Sequence, residues 1–512
     1  MARVFSEIRK HSGWSALLLG AMLPCAFAPL SLWPLAIVIP ALLFWLWYGQ
    51  TPRQALWIGF LFGVGLFGVG VSWVYVAIHV YGYTSAFVAG LLTAIFVAFL
   101  ALVPALQGWL SAYCLRYLPD TGYRPMLAYA WVFPTLWVVF EWLRGWLFTG
   151  FPWLNLGYSQ IDSPLAGFAP LLGVYGLSAL LVFSASGLLV LLQGGYARVA
   201  AIMLLILIWS VGGYLTQTEW TQPVDDPISV AIVQGNQDQL TKWDENKIRS
   251  QMQSYLDLSE PYWAEHDVIM WPENALTILY ADTPLDFKLT LLDKVHTHQT
   301  DLILGLPYGD YKTYYSSLLV VGEQEGVYHK RHLVPFGEFV PLQELLRGLV
   351  NFFDLPMSGF SAGDKQQTHL VAAGQPLAPS ICYEDAFGEE LIDFLPEATI
   401  LVNGSNNAWY GDSWAPHQHL QIARMRAVET GRMLMRATTN GISAVVDHHG
   451  QVLQASPQFA QHVISAEVQP RQGATPYVLF GNWPVLGFIG MSLLLMCCLP
   501  FFTRADFDLA KA

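Results

Sequence analysis

Charge is spread so unevenly along this 512-residue chain that no single kind of fold can account for it end to end. Residues 1–215 carry 8 Lys+Arg and 4 Asp+Glu, whereas residues 216–476 carry 15 and 32, a net charge of −17. The final 36 residues hold only Arg504, Asp506, Asp508 and Lys511. Over the whole chain 54% of residues are hydrophobic and 12% are charged, against about a quarter charged in an ordinary soluble domain. Disorder is excluded, and a wholly water-soluble fold is not expected. The pattern divides the chain into a transmembrane bundle of about seven helices (1–215), a soluble acidic domain (216–476), and an eighth transmembrane helix with a tail (477–512). The acidic balance gives no electrostatic basis for a nucleic-acid partner.

A spanning helix needs about 20 mostly apolar residues to cross a hydrocarbon core of about 30 Å. Candidate runs lie at 13–30, 32–49, 54–80, 84–114, 127–147, 165–193, 197–215 and 478–503. Arg9 and Lys10 ahead of a run closing in Ala26-Phe27-Ala28 also have the form of a signal peptide, but six further apolar runs follow at once. Orientation follows the Lys and Arg of short loops. With the N-terminus inside, the inner segments hold Arg3, Arg9, Lys10, Arg53, Arg116, Arg124, Arg198, Arg504 and Lys511, and the outer short loops hold Arg144 alone. Both termini are therefore expected in the cytoplasm and the 216–476 domain outside it.

Within that domain, apolar runs of strand length alternate with helical spacing. Strands are expected at Ile228–Gln234, Val268–Trp271, Leu302–Leu306, Ser317–Val321, Leu377–Cys382 and Thr399–Asn403. Ile442–Asp447 and Val452–Ala455 form a hairpin around His448-His449-Gly450, and helices cover Lys247–Leu258, Asp385–Leu395 and His417–Thr430. This is a layered α/β fold with helices over sheets. Cys382 is the one cysteine of the domain. A lone thiol in an oxidising compartment is either buried and inert or used in chemistry.

Three features close strands, where side chains can converge. Trp271-Pro272-Glu273-Asn274 ends one, and the proline there stops the ladder. His329-Lys330-Arg331-His332 precedes Leu333–Pro341, and Ile381-Cys382-Tyr383-Glu384 ends another strand before a helix. A thiol needs a base to form thiolate, which a buried carboxylate can supply, and a tetrahedral oxyanion needs a positive donor such as Lys330. Each residue alone also has a plain structural reading: Glu273 as a solvated strand end, the basic run as an exposed face, Cys382 as a buried core thiol. Spacing alone does not bring them together.

Glu273, Lys330 and Cys382 stand in the Glu…Lys…Cys order of the nitrilase superfamily, whose domains are α-β-β-α sandwiches. The whole chain resembles the bacterial apolipoprotein N-acyltransferase family, through Glu141–Gly145, Thr149–Trp153, Lys242–Glu245, Trp271–Glu273, His332–Pro341, Ile381–Glu384 and Ser405–Trp409. One departure is Tyr314-Tyr315-Ser316-Ser317, where the family often shows Tyr-Asn-Ser or Tyr-Asn-Thr. The resemblance implies a bacterial inner-membrane, multi-pass enzyme with a periplasmic catalytic domain and no cofactor. It implies transfer of the sn-1 acyl chain of a phospholipid, through a thioester on Cys382, to the N-terminal amine of a diacylglyceryl-cysteine lipoprotein. Glu273 would be the base, and Lys330 with the Tyr383 backbone N–H would bind the oxyanion. Glu338 and Glu384 would support the site. Trp243 would line the substrate route, and Pro335–Pro341 with Phe336 and Phe339 would form a lid.

Other candidates weigh less. Glu141 and Arg144, three apart, suit a helix-face ion pair, with a lipid phosphate as the functional alternative for Arg144. His417 and His419 are two apart on a helix and point different ways, so no metal site is expected there. A monomer is expected. The rival readings are a membrane-tethered amidase sharing the same triad, which a single anchor would serve, and a lipid-binding or transport protein with an inert triad.

Overall fold

The computed structural model describes residues 11–118, 123–339 and 359–509, with side chains through 498. Arg3, Arg9, Lys10, Pro341 and Lys511 lie outside the described residues. Contacts divide the chain into two units. One comprises Met1–Tyr75, Ser85–Thr218 and Phe480–Ala512; the other comprises Val76–Thr84 and Glu219–Leu479.

The first unit is helical. Among the described residues five helices are long and apolar enough to cross a membrane: Pro52–Gly70, Ala86–Tyr117, Arg124–Arg144, Pro164–Leu191 and Gly195–Leu215. Ser12–Ala26, Leu35–Trp47 and Trp483–Cys498 are shorter apolar helices. Pro52–Gly70 starts sharply because Thr51 and Gln54 form a capping box and Pro52 opens the first turn. Its Gly59 and Gly63 face Ala86–Cys114 so closely that a Cβ would lie 2.1 Å from the Pro104 carbonyl oxygen and 2.6 Å from Ala101 Cα. Small residues four apart let helix backbones touch in a setting where lipid supplies no hydrophobic drive.

The third apolar run was expected to continue as a span to residue 80. The helix ends at Gly70 instead, and the chain turns through Val71–Ser72 into a short π-helical turn, Ala77–Tyr81. Segment 76–84 belongs with the second unit, where the Tyr81 ring meets Trp409 edge-on at 6.1 Å.

The second unit holds two six-stranded sheets. The strands are β1 Ile228–Gln234, β2 Val268–Met270, β3 Asp301–Gly309, β4 Tyr314–Val321, β5 Gly326–His329, β6 Leu370–Ala372, β7 Gln375–Ile381, β8 Ile400–Ser405, β9 Leu434–Thr438, β10 Ala444–Val446, β11 Val452–Ala455 and β12 His462–Val468. Spatial order is β12-β1-β2-β3-β4-β5 in one sheet and β11-β10-β9-β8-β7-β6 in the other. In each, a parallel centre (β1-β2-β3 and β7-β8-β9) is flanked by antiparallel strands.

The period-2 alternation of side chains explains the layering. On β1, Val230 and Ile232 join the core shared with Ala378, Ile381 and Val402 of the opposite sheet. Ala231 and Val233 turn the other way, onto Tyr255, Leu256, Leu291 and Val295 of helices Glu245–Ser259 and Leu285–His298. Ala423 and Ala427 of helix Ala415–Thr430 pack on the second sheet. The result is an α-β-β-α sandwich, and each fully buried Val, Leu or Ile contributes roughly 1.5–3 kcal/mol.

One expected helix is absent. Asp385–Leu395 is broken into a 3-10 turn Cys382–Ala386, one α-turn Gly388–Leu391 and a second 3-10 turn Ile392–Phe394. Phe387, at φ −106° and ψ 78°, interrupts it, and Glu384 and Asp385 point inward to polar partners rather than along a solvated helix face.

Candidate active site

Glu273 is placed by the end of β2. Trp271 N–H still bonds to the Ile303 carbonyl at 2.8 Å, but Pro272 has no N–H and the ladder stops there. Gly305 on β3 lets the turn lie flat against the sheet, since a Cβ at that position would sit 2.3 Å from the Pro272 carbonyl oxygen. Lys330 follows β5, its backbone N–H bonded to Ser316 O at 2.8 Å and its side chain fully buried.

The ammonium of Lys330 donates to Glu273 Oε1 at 3.2 Å and to Glu338 Oε1 at 2.6 Å. Glu338 is locked by its own turn, accepting the Val334 N–H on Oε2 at 2.8 Å. Burial pulls Lys330 down, but the two carboxylates outweigh it and hold the ammonium well above its ordinary pKa. Burial pushes Glu338 up, with Lys330 pulling the other way. A buried charge with these partners is costly to break, since removing one leaves the other unpaired.

Cys382 opens the turn after β7 at φ +54°, a left-handed backbone that a residue with a Cβ adopts only when its surroundings enforce it. Two side chains grip its carbonyl: His419 Nε2 at 3.1 Å and Asn403 Nδ2 at 3.3 Å. The thiol faces the Glu273, Lys330 and Glu338 charges and the Asn406 backbone N–H. Burial and Glu273 push it well above its ordinary pKa, against the pull of Lys330. A thiol held in that direction needs a base beside it before it can act as thiolate.

Glu384 ties together the strand ends that carry lysine and cysteine. Its Oε1 accepts the Arg331 and His332 N–H groups at 2.6 and 3.0 Å, and its Oε2 accepts the Ile381 N–H at 2.7 Å. Tyr328 donates its hydroxyl hydrogen to the same carboxylate at 3.0 Å. Burial pushes Glu384 up to about 7 against the pull of those backbone donors. Tyr383 is buried, its ring edge-on to Phe387 at 5.1 Å and to His332 at 6.0 Å.

Two family models match the chain: the apolipoprotein N-acyltransferase N-terminal domain over 19–187 and carbon-nitrogen hydrolase over 229–477. A Methylococcus capsulatus apolipoprotein N-acyltransferase is 44% identical over 91% of this chain and 92% of its own length. The chain belongs to the apolipoprotein N-acyltransferase family. Proteins of that name from Nitrosomonas europaea and Azotobacter vinelandii are 42% and 44% identical, covering 94% and 93% of this chain and 96% and 93% of theirs.

In this member of the apolipoprotein N-acyltransferase family the remaining expected residues divide. Trp243 and Phe339 pack, with Tyr314 and Trp409, around buried Leu333 and Phe360. Phe336 is 47% exposed at a turn closed by its N–H to Phe339 O at 2.7 Å. Arg144, in the first unit, is buried. It donates to Phe151 O at 2.8 Å, to Trp153 O, and to Asn155 Oδ1 at 2.7 Å, while Glu141 accepts the Leu156 N–H at 2.9 Å. The two hold the 151–156 segment.

Several site residues carried no role in the sequence reading. His419, weighed there only as half of a His-x-His pair, bonds to Asp385 Oδ1 at 2.9 Å as well as to the Cys382 carbonyl. Arg436 braces Asp385 at 2.8 Å and Asn403 at 2.5 Å. Lys242 is fully buried, its ammonium 3.3 Å from the Glu273 carbonyl oxygen and 3.4 Å from Thr439 Oγ1, and burial pulls it down to about 7. For Arg436 the available signal was a charged residue inside an otherwise apolar strand; Lys242, in a polar turn, gave none.

Proposed function

We propose that this chain carries out N-acylation of lipoproteins by a two-step transfer through a thioester on Cys382. The observation that carries the reading is the buried Lys330 ammonium bridging Glu273 and Glu338 beside the buried Cys382 side chain. Glu273 takes the Cys382 proton as sulfur attacks the sn-1 ester carbonyl of a phospholipid. Lys330 and the Tyr383 backbone N–H stabilise the oxyanion. Collapse breaks the ester C–O bond, Glu273 returns the proton to the departing lysophospholipid oxygen, and the acyl chain remains on sulfur.

The α-amine of a diacylglyceryl-cysteine then attacks the thioester, Glu273 takes its proton, and the amide product leaves with Cys382 restored. An amine attacks a thioester more readily than an ester, which suits the order of steps. The Trp243, Phe339 and Phe360 cluster has the apolar character of an acyl-chain route, and the 335–341 segment would serve as its lid. Eight membrane spans, cytoplasmic termini, a periplasmic catalytic domain in an inner membrane and a monomeric state complete the proposal.

The test uses detergent-purified protein and a phospholipid labelled in its sn-1 chain. Label should appear on Cys382 by intact mass, be released by hydroxylamine, be absent from Cys382→Ser, and move to the free amine of a diacylated lipopeptide. A folded protein whose thiol never acquires label would overturn the phospholipid donor, and hydrolysis of small amides would then favour the amidase.

A further inference from the structure

A second cluster of donor atoms lies elsewhere in the sandwich unit and takes no part in this chemistry. The turn between β10 and β11 is Asp447-His448-His449-Gly450. It is stiff: Asp447 Oδ1 accepts the His449 and Gln451 N–H groups at 3.0 and 2.7 Å, and Arg424 Nε holds the Gly450 carbonyl at 2.7 Å. Both imidazoles present Nε2 to the carboxylate of Glu219. His448 Nε2 is 3.0 Å from Oε2 and 3.3 Å from Oε1, and His449 Nε2 is 3.0 Å from Oε1.

We propose that Glu219, His448 and His449 form a binding site for a divalent transition-metal cation of the zinc class. The argument begins with distances. Nitrogen and oxygen ligands at about 2.0–2.1 Å from a tetrahedral ion lie about 3.3 Å from each other. The observed carboxylate–imidazole separations already approach that edge, and all three donor atoms lie within 4.8 Å of one another. Little movement is needed to admit an ion.

The donor set also has the right chemistry. Two imidazoles and a carboxylate are borderline ligands of the kind that select zinc and its neighbours over magnesium or calcium. A metal takes each imidazole in its neutral form, through one ring nitrogen. On binding, each Nε2 gives its lone pair to the ion and the ring hydrogen lies on Nδ1. Water completes the fourth position.

Arg471 orients the carboxylate from behind. It is buried, fixed to Thr221 through Nε to Oγ1 at 2.8 Å and Nη2 to O at 2.6 Å, and its Nη2 also reaches Glu219 Oε2 at 2.5 Å. Oε1 then lies 3.0 Å from His449 Nε2 and 3.3 Å from His448 Nε2, while His448 shares Oε2 with Arg471, an outer partner that orients the carboxylate. The ligands come from positions 229 residues apart, so a bound ion would tie the segment entering the sandwich to one of its hairpins.

The test uses untagged, full-length protein in detergent, stripped of metal and titrated with Co²⁺ as the probe. Wild type should develop the visible absorption of a tetrahedral cobalt site with an equivalence point at one ion per chain, and zinc should bleach it. Glu219→Gln and His448→Ala/His449→Ala should lose the band while their metal-free unfolding midpoints stay near that of wild type. A wild-type protein that gives no saturable cobalt spectrum, or a band that survives in the double variant, overturns the proposal. If the double variant unfolds early, Glu219→Gln decides it: the band must be lost there too.

Discussion

His419 Nε2 lies 3.1 Å from the main-chain carbonyl oxygen of Cys382, and the same nitrogen is 2.9 Å from Asp385. Asn407 Nδ2 sits 2.9 Å from His419 Nδ1. That pairing makes Nδ1 the acceptor and leaves the ring hydrogen on Nε2, shared between the carbonyl and the carboxylate. The histidine is thus a clamp on a cysteine whose backbone occupies an unfavourable region, and Asp385 with Arg436 sets its direction. His419→Ala should cost about 1–3 kcal/mol through stranded buried acceptors and slow acyl-enzyme formation by about 10²-fold. The rate constant should fall with little change in the phospholipid KM, and His419→Gln should recover part of it. A normal rate with normal stability would show that the turn holds itself.

Base strength and thiol acidity can be separated at Glu273. Its charge pushes the Cys382 thiol up, so Glu273→Gln should move the pH profile of thiol alkylation to lower pH. Acyl transfer by the same variant should fall to near background because the proton has no acceptor. Iodoacetamide kinetics against pH, beside single-turnover acylation, check both halves. Alkylation shifting to higher pH would mean that the carboxylate is not facing the thiol as a charge.

Glu338 holds Lys330 more closely than Glu273 does, at 2.6 Å against 3.2 Å. Glu338→Ala should destabilise the fold by about 3–5 kcal/mol, the usual cost of leaving a buried charge without one partner. Glu338→Gln keeps an acceptor for the Val334 N–H and should cost less, while still slowing acylation. Denaturation midpoints of the two variants should therefore differ, with Gln above Ala.

Lys242 gives a pH signature. Burial pulls its folded pKa down to about 7, against about 10.4 in an unfolded chain. Between those values the unfolded state binds more protons, so stability attributable to this group rises with pH across that window; below about 7 the penalty of the buried charge is fully present. Lys242→Met should raise the midpoint at pH 7 and flatten its rise toward pH 10. A wild-type and variant pair with parallel profiles would rule this out.

Phe336, one of the two aromatic residues assigned to the lid, should behave differently from buried Phe360. Phe360→Ala removes a packed ring and should cost about 3–5 kcal/mol. Phe336 is 47% exposed, and Phe336→Ala should stay within about 0.5 kcal/mol of wild type. If the lid reading holds, Phe336→Ala will nonetheless raise the phospholipid KM, which lipid-titrated acylation would detect.

The sheet centres were legible because β1, β3 and β4 are apolar on both faces and announce themselves as continuous runs. Four strands of the two sheets were missed: β5 and β6, only four and three residues long, and two of another kind. β9, Leu434-Met435-Arg436-Ala437-Thr438, buries an arginine for the Asp385 network, and β12 alternates at a sheet edge with exposed and buried positions. Glu273, Lys330 and Cys382 were singled out through chain order and resemblance, and Lys330 does lie between Glu273 and Glu338, whereas the clamp on the Cys382 carbonyl could not be read that way. His419, Asp385, Asn403 and Arg436 come from one helix, one turn and two strands, and only the folded sandwich brings them within hydrogen-bonding reach. Charge patterning marked the polar boundary near 216, but it passed over 76–84, where an apolar stretch of span-like composition ends up with the sandwich.

That short stretch, with Tyr81 against Trp409, bears on how the protein can be divided. A polypeptide cut at the obvious borders, from Glu219 to Leu479, would be contiguous and yet incomplete, missing a piece encoded more than a hundred residues upstream. Excised alone, it would expose the surface that Tyr81 covers. The sandwich unit is thus not a transferable cassette, and gene fusions or truncations that treat it as one should yield protein with that aromatic surface bare.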